Sequence, residues 1–427
     1  MLPPLYPIMP NIAANRSIFT SVTSFSIFLF YAINQPLPSG YSYGVGLLLL
    51  TSIAWIAHRP SFQLTAQDKS YIWILLGVFG VGVLTFLVHG NSLRDLDISS
   101  RYLLAIPIFL LLMQFPPRLK WLWAGIALSG CTAASIAFWQ ISILGWIEAD
   151  GLSNGVRYGA ICTMLCILCI AGMIWARRET LTSVWWWRLA LGLGALGAWY
   201  GSLMSGTRGA WVALPIVFIL FCIGLFSRRN LRKMLGVILV LLLAVSVWLT
   251  TAPNNRINRG YRNAVTDISN YIDHGVVTGS IGGRFLVWHA AINNMVEKPL
   301  LGWGVKEYRD QLEWQVAQGT LDPYALELAH THNMYLETLV FQGLVGLLAI
   351  LALFILPFWY FCQKLRAQSL NIRILAISGA SLLAVYAILG LTYVSLYRND
   401  ILLFFLVTLM TLWACMRAEE RAANIEP

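Results

Sequence analysis

The stretch that decides the fold is HTHNMYLETLVFQGLVGLLAILALFILPFWYF, residues 330–361, in which a polar tetrad leads directly into a long apolar run. A helix needs about 20 apolar residues to cross a bilayer, and residues 334–361 supply them. Two histidines at the mouth of such a helix are costly unless they face a protein interior or a water-filled cavity. The tetrad His330-Thr331-His332-Asn333 therefore indicates a functional site at a membrane boundary.

The rest of the chain has the composition of a membrane protein. Hydrophobic residues make up 58% of it and charged residues 11%, whereas a soluble domain carries about 25% charged residues. Residues 1–17 contain neither a basic leader nor a small-residue cleavage site, so we expect no removable signal peptide. Apolar runs predict an all-α integral membrane fold with about twelve transmembrane helices, at 18–33, 42–57, 71–88, 102–115, 121–144, 158–176, 184–204, 209–226, 234–252, 334–361, 374–396 and 400–416.

The distribution of basic residues predicts the orientation. If both termini are cytoplasmic, the inner connections hold 17 basic residues, and the short outer connections hold five, namely Arg94, Arg101, Arg157, Arg208 and Arg398. Basic residues accumulate on the cytoplasmic side of membrane proteins, so this is the orientation that we predict. The net charge of +10 is then a signal of topology. Because the basic residues form no cluster on a soluble face, we expect no nucleic-acid partner.

The chain forms one polytopic membrane domain, 1–427, with one long outer loop, 253–332, between the ninth and tenth spans. A loop of this length without structure of its own is uncommon unless it is functional or disordered, and the aromatic content of this one argues against disorder. The seven cysteines lie in or beside apolar runs, which predicts no disulfide framework. The helical spacing of Cys162, Cys166 and Cys169 is better explained by buried small hydrophobes than by metal ligands.

One segment of the outer loop has a helical pattern. Phe285, Trp288, Ile292 and Met295 fall on one face and predict an amphipathic helix over 285–296. Pro299 follows and should end this helix, and the triplet Gly302-Trp303-Gly304 predicts a turn.

Three polar elements lie at the predicted outer boundary. Arg208 belongs to a connection of five residues between two spans, where it is either a snorkelling helix-end residue or part of a wet anionic site. Arg284 follows two glycines at the start of the loop helix, a place that favours an anion but is also common for a surface arginine. His332 and Asn333 precede the tenth span, with Glu337 on the same helix face as Asn333.

Together these elements suit transfer from a phosphorylated donor. Guanidinium groups bind a diphosphate and stabilise its charge as it leaves. A neutral imidazole accepts a proton from an attacking hydroxyl near pH 7. The competing interpretation is a metal site at Asp95 and Asp97, whose carboxylates suit Mg or Mn, although Arg94 and Arg101 offer them ion pairs instead.

The same residues carry a resemblance to the bacterial O-antigen ligases. The pattern His332-Asn333, nine residues, Gly343, two residues, Gly346 resembles the signature of that family. Ser205-Gly206-Thr207-Arg208-Gly209-Ala210 is similar to a second motif, and Gly283-Arg284 with Trp288, Pro299 and Gly302-Trp303-Gly304 is similar to a third. The specific likeness covers about 200–346.

The resemblance implies a membrane glycosyltransferase of the C-type fold in the bacterial inner membrane, with a periplasmic active site. Such enzymes transfer polysaccharide from undecaprenyl diphosphate to a sugar hydroxyl of lipid A-core, with inversion and without a metal or other cofactor. It implies His332 as the catalytic base and Arg208 and Arg284 as the catalytic arginines that hold the diphosphate. We expect the substrate-binding residues to be Arg157, Arg101, His330, Asn333, Thr207 and Trp288.

Other activities share these motifs. O-antigen polymerases and protein O-oligosaccharyltransferases belong to the same superfamily, and the absence of a large additional C-terminal domain favours the ligase. A hydrolase would use the same residues with water as the acceptor. A transporter of lipid-linked oligosaccharide would also have about twelve spans, but transporters place polar residues near the bilayer midplane and often contain internal repeats. Here the polar residues cluster on one face.

Overall fold

Residues 12–58, 63–90, 96–178, 181–227, 279–328 and 330–423, with a few single residues between these ranges, are described by a computed structural model of the chain. All regular structure in these ranges is helical. The helices are α1 (Ile12–Ala32), α2 (Tyr41–Ile56), α3 (Ala66–His89), α4 (Leu96–Gln114), α5 (Leu119–Phe138), α6 (Gly155–Trp175), α7 (Leu181–Met204), α8 (Leu214–Leu225), α9 (Gly279–Glu297), α10 (Val305–Ala317), α11 (Tyr324–Glu327), α12 (Met334–Lys364), α13 (Leu370–Leu389) and α14 (Asn399–Ala423).

Helices occupy eleven of the twelve apolar runs predicted to span the membrane. Seven of the described helices are long and apolar enough to cross it: α3, α4, α5, α6, α12, α13 and α14. The all-helical, multi-pass architecture is therefore confirmed, whereas the count of about twelve crossings stays a prediction. The ninth run, 234–252, and the loop residues 253–278 lie almost entirely outside the described residues.

The centre of the bundle is formed by α13 and α14. Every residue of α14 from Asp400 to Met416 is buried, and so is every residue of α13 from Ile374 to Tyr386. Both helices are apolar on all sides, which is the pattern of a helix surrounded by other helices. This burial fixes the short segment between them, residues 390–398, at one end of the bundle.

That end, where α12 begins, is called here the site end. Met334 at the start of α12 donates its amide N–H to the carbonyl oxygen of Gly390 over 2.7 Å. At the opposite end, Arg417 of α14 makes ion pairs with Asp68 and Glu420, and Trp413 donates to the Asp68 carboxylate over 2.8 Å. The two ends therefore have separate polar networks with an apolar core between them.

The long apolar run that begins at Met334 is not one continuous helix. α12 is broken at Gly343, whose φ of 65° and ψ of −163° are non-helical. The carbonyl groups freed by the break accept hydrogen bonds from the turn after α9: Trp303 N–H bonds to Val340 O over 2.8 Å, and Gly304 N–H bonds to Phe341 O over 3.1 Å. The predicted outer loop is thus attached to the tenth predicted span by backbone hydrogen bonds.

Glycines make this attachment possible. Gly302, Gly304 and Gly343 all have positive φ values near 65°, a region that favours glycine. A side chain on Gly302 would overlap the Val340 carbonyl, and one on Gly343 would overlap the Leu300 carbonyl. The chain turns at residues 299–301, just before the predicted 302–304, and the predicted end of α9 before Pro299 is confirmed, with Glu297 as its last residue.

The predicted face of the loop helix is only partly correct. The helix itself is present as α9, but Ile292 of the expected apolar stripe is 48% exposed. The buried side chains of α9 are instead those of Leu286, Val287, Ala290, Ala291 and Asn294. Alanines allow close packing, and the buried Asn294 side chain accepts a hydrogen bond of 2.8 Å from Gln315 of α10. The contact between Asn294 and Gln315 therefore helps to determine which face of α9 is buried. The spacing of hydrophobic residues in the sequence cannot predict a polar contact of this kind.

Candidate functional site

The tetrad at the start of α12 is organised around one buried carboxylate. Glu337, which is 1% exposed, accepts hydrogen bonds from the backbone N–H of Thr331 over 2.8 Å and from the Thr331 hydroxyl over 2.7 Å. Its other oxygen lies 3.0 Å from Nδ1 of His330. Because a carboxylate buried this deeply needs several donors, the loop must fold back over the first turn of α12.

This folding places His332 in an unusual backbone conformation. Its φ of 54° lies in the left-handed region, which histidine adopts more readily than most residues. On one side, the indole Nε1 of Trp288 donates to the Thr331 carbonyl over 2.7 Å. On the other, the Asn333 side-chain oxygen caps α12 by accepting from the N–H groups of Tyr335 and Leu336. His332 is therefore held between two fixed neighbours with its ring half-buried.

Arg284 lies close enough to His332 to change its ionisation. Burial lowers the pKa of His332 below its ordinary value of 6.5, and the positive charge of Arg284 lowers this pKa further. Burial also lowers the pKa of Arg284, although a guanidinium stays protonated near neutral pH. A neutral imidazole beside a guanidinium is an arrangement that can accept a proton next to a bound anion.

The segment between α13 and α14 contributes further charged groups to the site end. Arg398 Nη2 lies 2.7 Å from Nε2 of His330. Two residues further on, Asp400 accepts from Arg157 Nη1 over 2.9 Å. Asn399 donates to Asp97 of α4 over 3.3 Å. The segment 390–400 therefore joins α4, α6 and the start of α12.

The predicted residues of the second motif lie at the same end, but not in contact with the tetrad. Arg208 is exposed; its backbone carbonyl accepts from the Trp211 N–H over 3.0 Å, and its side chain makes no hydrogen bond or ion pair within the described residues. Its neighbour Gly209 packs against Thr392, two residues after the Gly390 carbonyl that bonds to Met334. Thr207 is buried, and its hydroxyl donates to the Gly155 carbonyl over 2.8 Å. The structure thus gives Thr207 a hydrogen bond within the fold.

Six of the predicted site residues meet at or near the start of α12. His332, Arg284, His330, Asn333 and Trp288 come together at the start of α12. Arg157 joins them through Asp400 and the 398–400 segment.

Arg101 is engaged elsewhere at the site end. It donates to Asp97 over 2.8 Å on α4, and its side chain lines a small, largely apolar cavity against α14. Direct contact of Arg101, Arg208 or Thr207 with a substrate stays a prediction.

Two sizeable cavities open at the site end and share Ile98, Tyr397 and Arg398 as lining residues. One, of about 450 Å³, is bordered by polar side chains that include Asn34, Gln35, Ser153, Arg157, Asn399 and Asp400. The other, of about 690 Å³, lies between α3, α4 and α12 and is bordered by side chains that include Val78, Phe86, Tyr102, Phe341 and Ile350. Volumes of this size are typical of sites for small molecules or for parts of larger ligands.

Sequence reasoning missed the importance of Arg398 and Glu337. In the sequence, Arg398 is one of five basic residues in the predicted outer connections. The triplet Arg398-Asn399-Asp400 is also a polar stretch between two apolar runs. The helical spacing places Glu337 on the same face as Asn333 but does not predict its contacts with Thr331 and His330. The available signal was a carboxylate in the first turn of an apolar helix, where a charge is costly without partners.

The alternative metal site at Asp95 and Asp97 stays an open alternative, and the structure describes only the second of these residues. Asp97 pairs with Arg101 and Asn399, while Asp95 lies outside the described residues. Within the described ranges, no group of three or more histidine, cysteine, aspartate or glutamate residues has the arrangement of a metal site.

Comparisons with known proteins point to one family. A family model described as O-antigen ligase matches residues 193–351, which include Arg208, Arg284, His332 and the break at Gly343. The chain is also similar to an uncharacterized protein of Haemophilus influenzae, with 28% identity over 358 residues that cover 82% of this chain and 87% of that relative.

Proposed function

We propose that this chain, whose residues 193–351 match the family model described as O-antigen ligase, is itself an O-antigen ligase. In this proposal it transfers polysaccharide from undecaprenyl diphosphate to a sugar hydroxyl of lipid A-core, at the periplasmic face of the inner membrane. The arrangement that supports the proposal most strongly is the half-buried imidazole of His332 close to the Arg284 guanidinium, since burial and this positive charge both lower the pKa of His332.

The proposed reaction is a single displacement at the anomeric carbon. The acceptor hydroxyl oxygen forms the new bond to that carbon and gives its proton to the imidazole of His332. The bond from the carbon to the diphosphate oxygen breaks, and its electron pair leaves with the diphosphate. Arg284 and Arg208 are assigned to the leaving diphosphate, whose growing charge a guanidinium stabilises. Attack from the face opposite the leaving group inverts the anomeric centre.

The experiment that tests this proposal is transfer in vitro with purified enzyme, lipid-linked donor and lipid A-core acceptor. Wild-type protein should form capped lipid A-core, and His332→Ala and Arg208→Ala should abolish the product while the protein still inserts. Activity should survive excess EDTA, because Asp95 and Asp97 have no metal-dependent role in this mechanism. Loss of activity in EDTA would instead support a metal site at Asp95 and Asp97.

The products separate the related activities. A ligase joins the polysaccharide to lipid A-core, whereas a polymerase lengthens the polysaccharide on the undecaprenyl carrier. A protein O-oligosaccharyltransferase would label a protein acceptor, and a hydrolase would release free polysaccharide. A transporter would move the donor across a sealed vesicle without breaking its anomeric bond.

A further inference from the structure

Arg398 occupies a junction that the assigned roles leave unexplained. Its guanidinium lies 2.7 Å from His330 and lines both cavities of the site end. The side chain is exposed, so an incoming ligand can reach it. An arginine has five N–H donors, and the contact with His330 uses one of them.

The contact fixes the protonation of His330. A guanidinium has no acceptor atom, so Nε2 of His330 must accept the hydrogen bond from Arg398. Nε2 then carries no proton, and the neutral ring has its proton on Nδ1. That proton is donated to Glu337 Oε1 over 3.0 Å.

His330 is therefore engaged at both ring nitrogens. It has no free lone pair with which to act as a base, in contrast to His332. Glu337 is held in turn by the two donors of Thr331. The chain Thr331, Glu337, His330, Arg398 forms a continuous set of hydrogen bonds that orients the guanidinium.

The two cavities that meet at Arg398 differ in chemistry. The larger one reaches Val78, eleven residues before the end of α3, which corresponds to roughly 16 Å along the helix axis. At that depth its border includes Ile350 of α12, so it suits an apolar chain. The smaller one offers amide and hydroxyl groups such as Asn34, Gln35 and Ser153, which suit sugar hydroxyls.

We propose that Arg398 is a substrate-binding residue, positioned by His330, that holds the diphosphate of the lipid-linked donor between an apolar groove for its polyprenyl chain and a polar cavity for its sugar. This inference rests on the proposed function and adds to it. It assigns the 690 Å³ cavity to the chain and the 450 Å³ cavity to the sugar. His330 is a positioning residue in this scheme.

The test measures binding in the full-length protein with His332→Ala as the parent and without acceptor, so that turnover does not interfere. The probes are undecaprenyl diphosphate, undecaprenol without phosphate, inorganic diphosphate as a competitor, and an anionic phospholipid as a second competitor. Arg398→Gln should weaken binding of undecaprenyl diphosphate by roughly tenfold to a hundredfold, as expected for a lost charge-assisted hydrogen bond. Binding of undecaprenol should not change.

Variants of His330 separate positioning from general damage. His330→Gln retains an acceptor for Arg398 and a donor for Glu337, so it should bind close to the parent. His330→Phe fills a similar space without either group and should lose affinity as Arg398→Gln does. Lys306→Gln, an exposed change of the same charge on α10, should have no effect. If Arg398→Gln does not fold, Arg398→Lys should still weaken binding several-fold, because it lacks the planar fork.

The inference is overturned if Arg398→Gln or its lysine replacement binds undecaprenyl diphosphate as the parent does. It is also overturned if undecaprenol binding falls equally, if Lys306→Gln causes the same loss, or if phospholipid competes as well as inorganic diphosphate. Failure of the proposed function has a different signature, since the wild-type protein would then form no capped lipid A-core whatever the binding result.

Discussion

The indole Nε1 of Trp288 donates a hydrogen bond of 2.7 Å to the carbonyl oxygen of Thr331, the residue immediately before His332. Trp288 belongs to α9 of the predicted outer loop, and Thr331 belongs to the tetrad that precedes α12. This bond connects two parts of the chain that are 43 residues apart. It makes the position of His332 depend on the packing of α9.

The first prediction concerns this bond. Trp288→Phe keeps an aromatic ring but removes the donor, and it leaves the buried Thr331 carbonyl unsatisfied at a cost of about 1–3 kcal/mol. We expect the transfer rate to fall roughly tenfold, with little change in the melting temperature of the bundle. Trp314→Phe, at an exposed position of α10, is the matched control and should retain full activity. Equal rates for both variants would contradict the role given to Trp288.

The second prediction concerns the carboxylate under the tetrad. Glu337→Gln offers one oxygen where two now accept hydrogen bonds from Thr331 and His330. Bonds to a charged group contribute about 1.5–3 kcal/mol each, so the loop should open more often. Hydrogen exchange measured by mass spectrometry should show faster exchange at the amide of Thr331, while peptides of α13 stay protected. Unchanged exchange at 330–333 would show that Glu337 does not hold the loop.

The third prediction concerns pH. Burial and Arg284 lower the pKa of His332 from 6.5, so the neutral ring persists to a lower pH than usual. The acidic limb of the transfer rate should therefore have its midpoint below 6.5, and activity should be lost only as the pH falls through the lowered value.

The charge of Arg284 can be tested in the same way. Arg284→Gln removes one of the causes, so the midpoint should move up toward 6.5 in the remaining activity. Site-resolved modification of His332 by diethyl pyrocarbonate follows the same ionisation independently of turnover. A wild-type midpoint at or above 6.5 would be inconsistent with the electrostatics described.

The fourth prediction concerns the break in α12. Gly343→Ala places a side chain against the Leu300 carbonyl and forces a positive φ on a residue that disfavours it. Strain of this kind costs about 1–3 kcal/mol, so both the melting temperature and the transfer rate should fall. Gly77→Ala in α3 meets no atom within 4 Å and should be neutral or slightly stabilising. The prediction fails if the two variants melt at the same temperature.

Much of the fold could be predicted from composition and periodicity. Apolar runs located α12, α13 and α14, because a membrane helix needs an unbroken apolar stretch that the sequence displays directly. The break at Gly343 is not predictable from the sequence, since hydrogen bonds exchanged with residues 299–304 compensate it and only the folded chain brings these residues together.

The site residues that lie in a conspicuous motif are predictable from the sequence. Those whose role depends on a contact with a residue far away along the chain are not. His332 and Arg284 stood out as polar residues beside apolar or glycine-rich stretches. Arg398 did not, because its significance lies in a contact with His330, 68 residues earlier in the chain. Thr207 is the opposite case. Its motif is conspicuous in the sequence, but its hydroxyl donates a hydrogen bond to the Gly155 carbonyl inside the fold.

The most direct measurement is the rate at which purified His332→Ala moves polysaccharide from undecaprenyl diphosphate to lipid A-core, compared with His289→Ala, an exposed histidine of α9. A general base contributes about 10²–10⁴-fold to a rate. His332→Ala should therefore transfer at least roughly a hundredfold more slowly while it still binds donor, and His289→Ala should match the wild type. Transfer by His332→Ala at the wild-type rate would contradict the account.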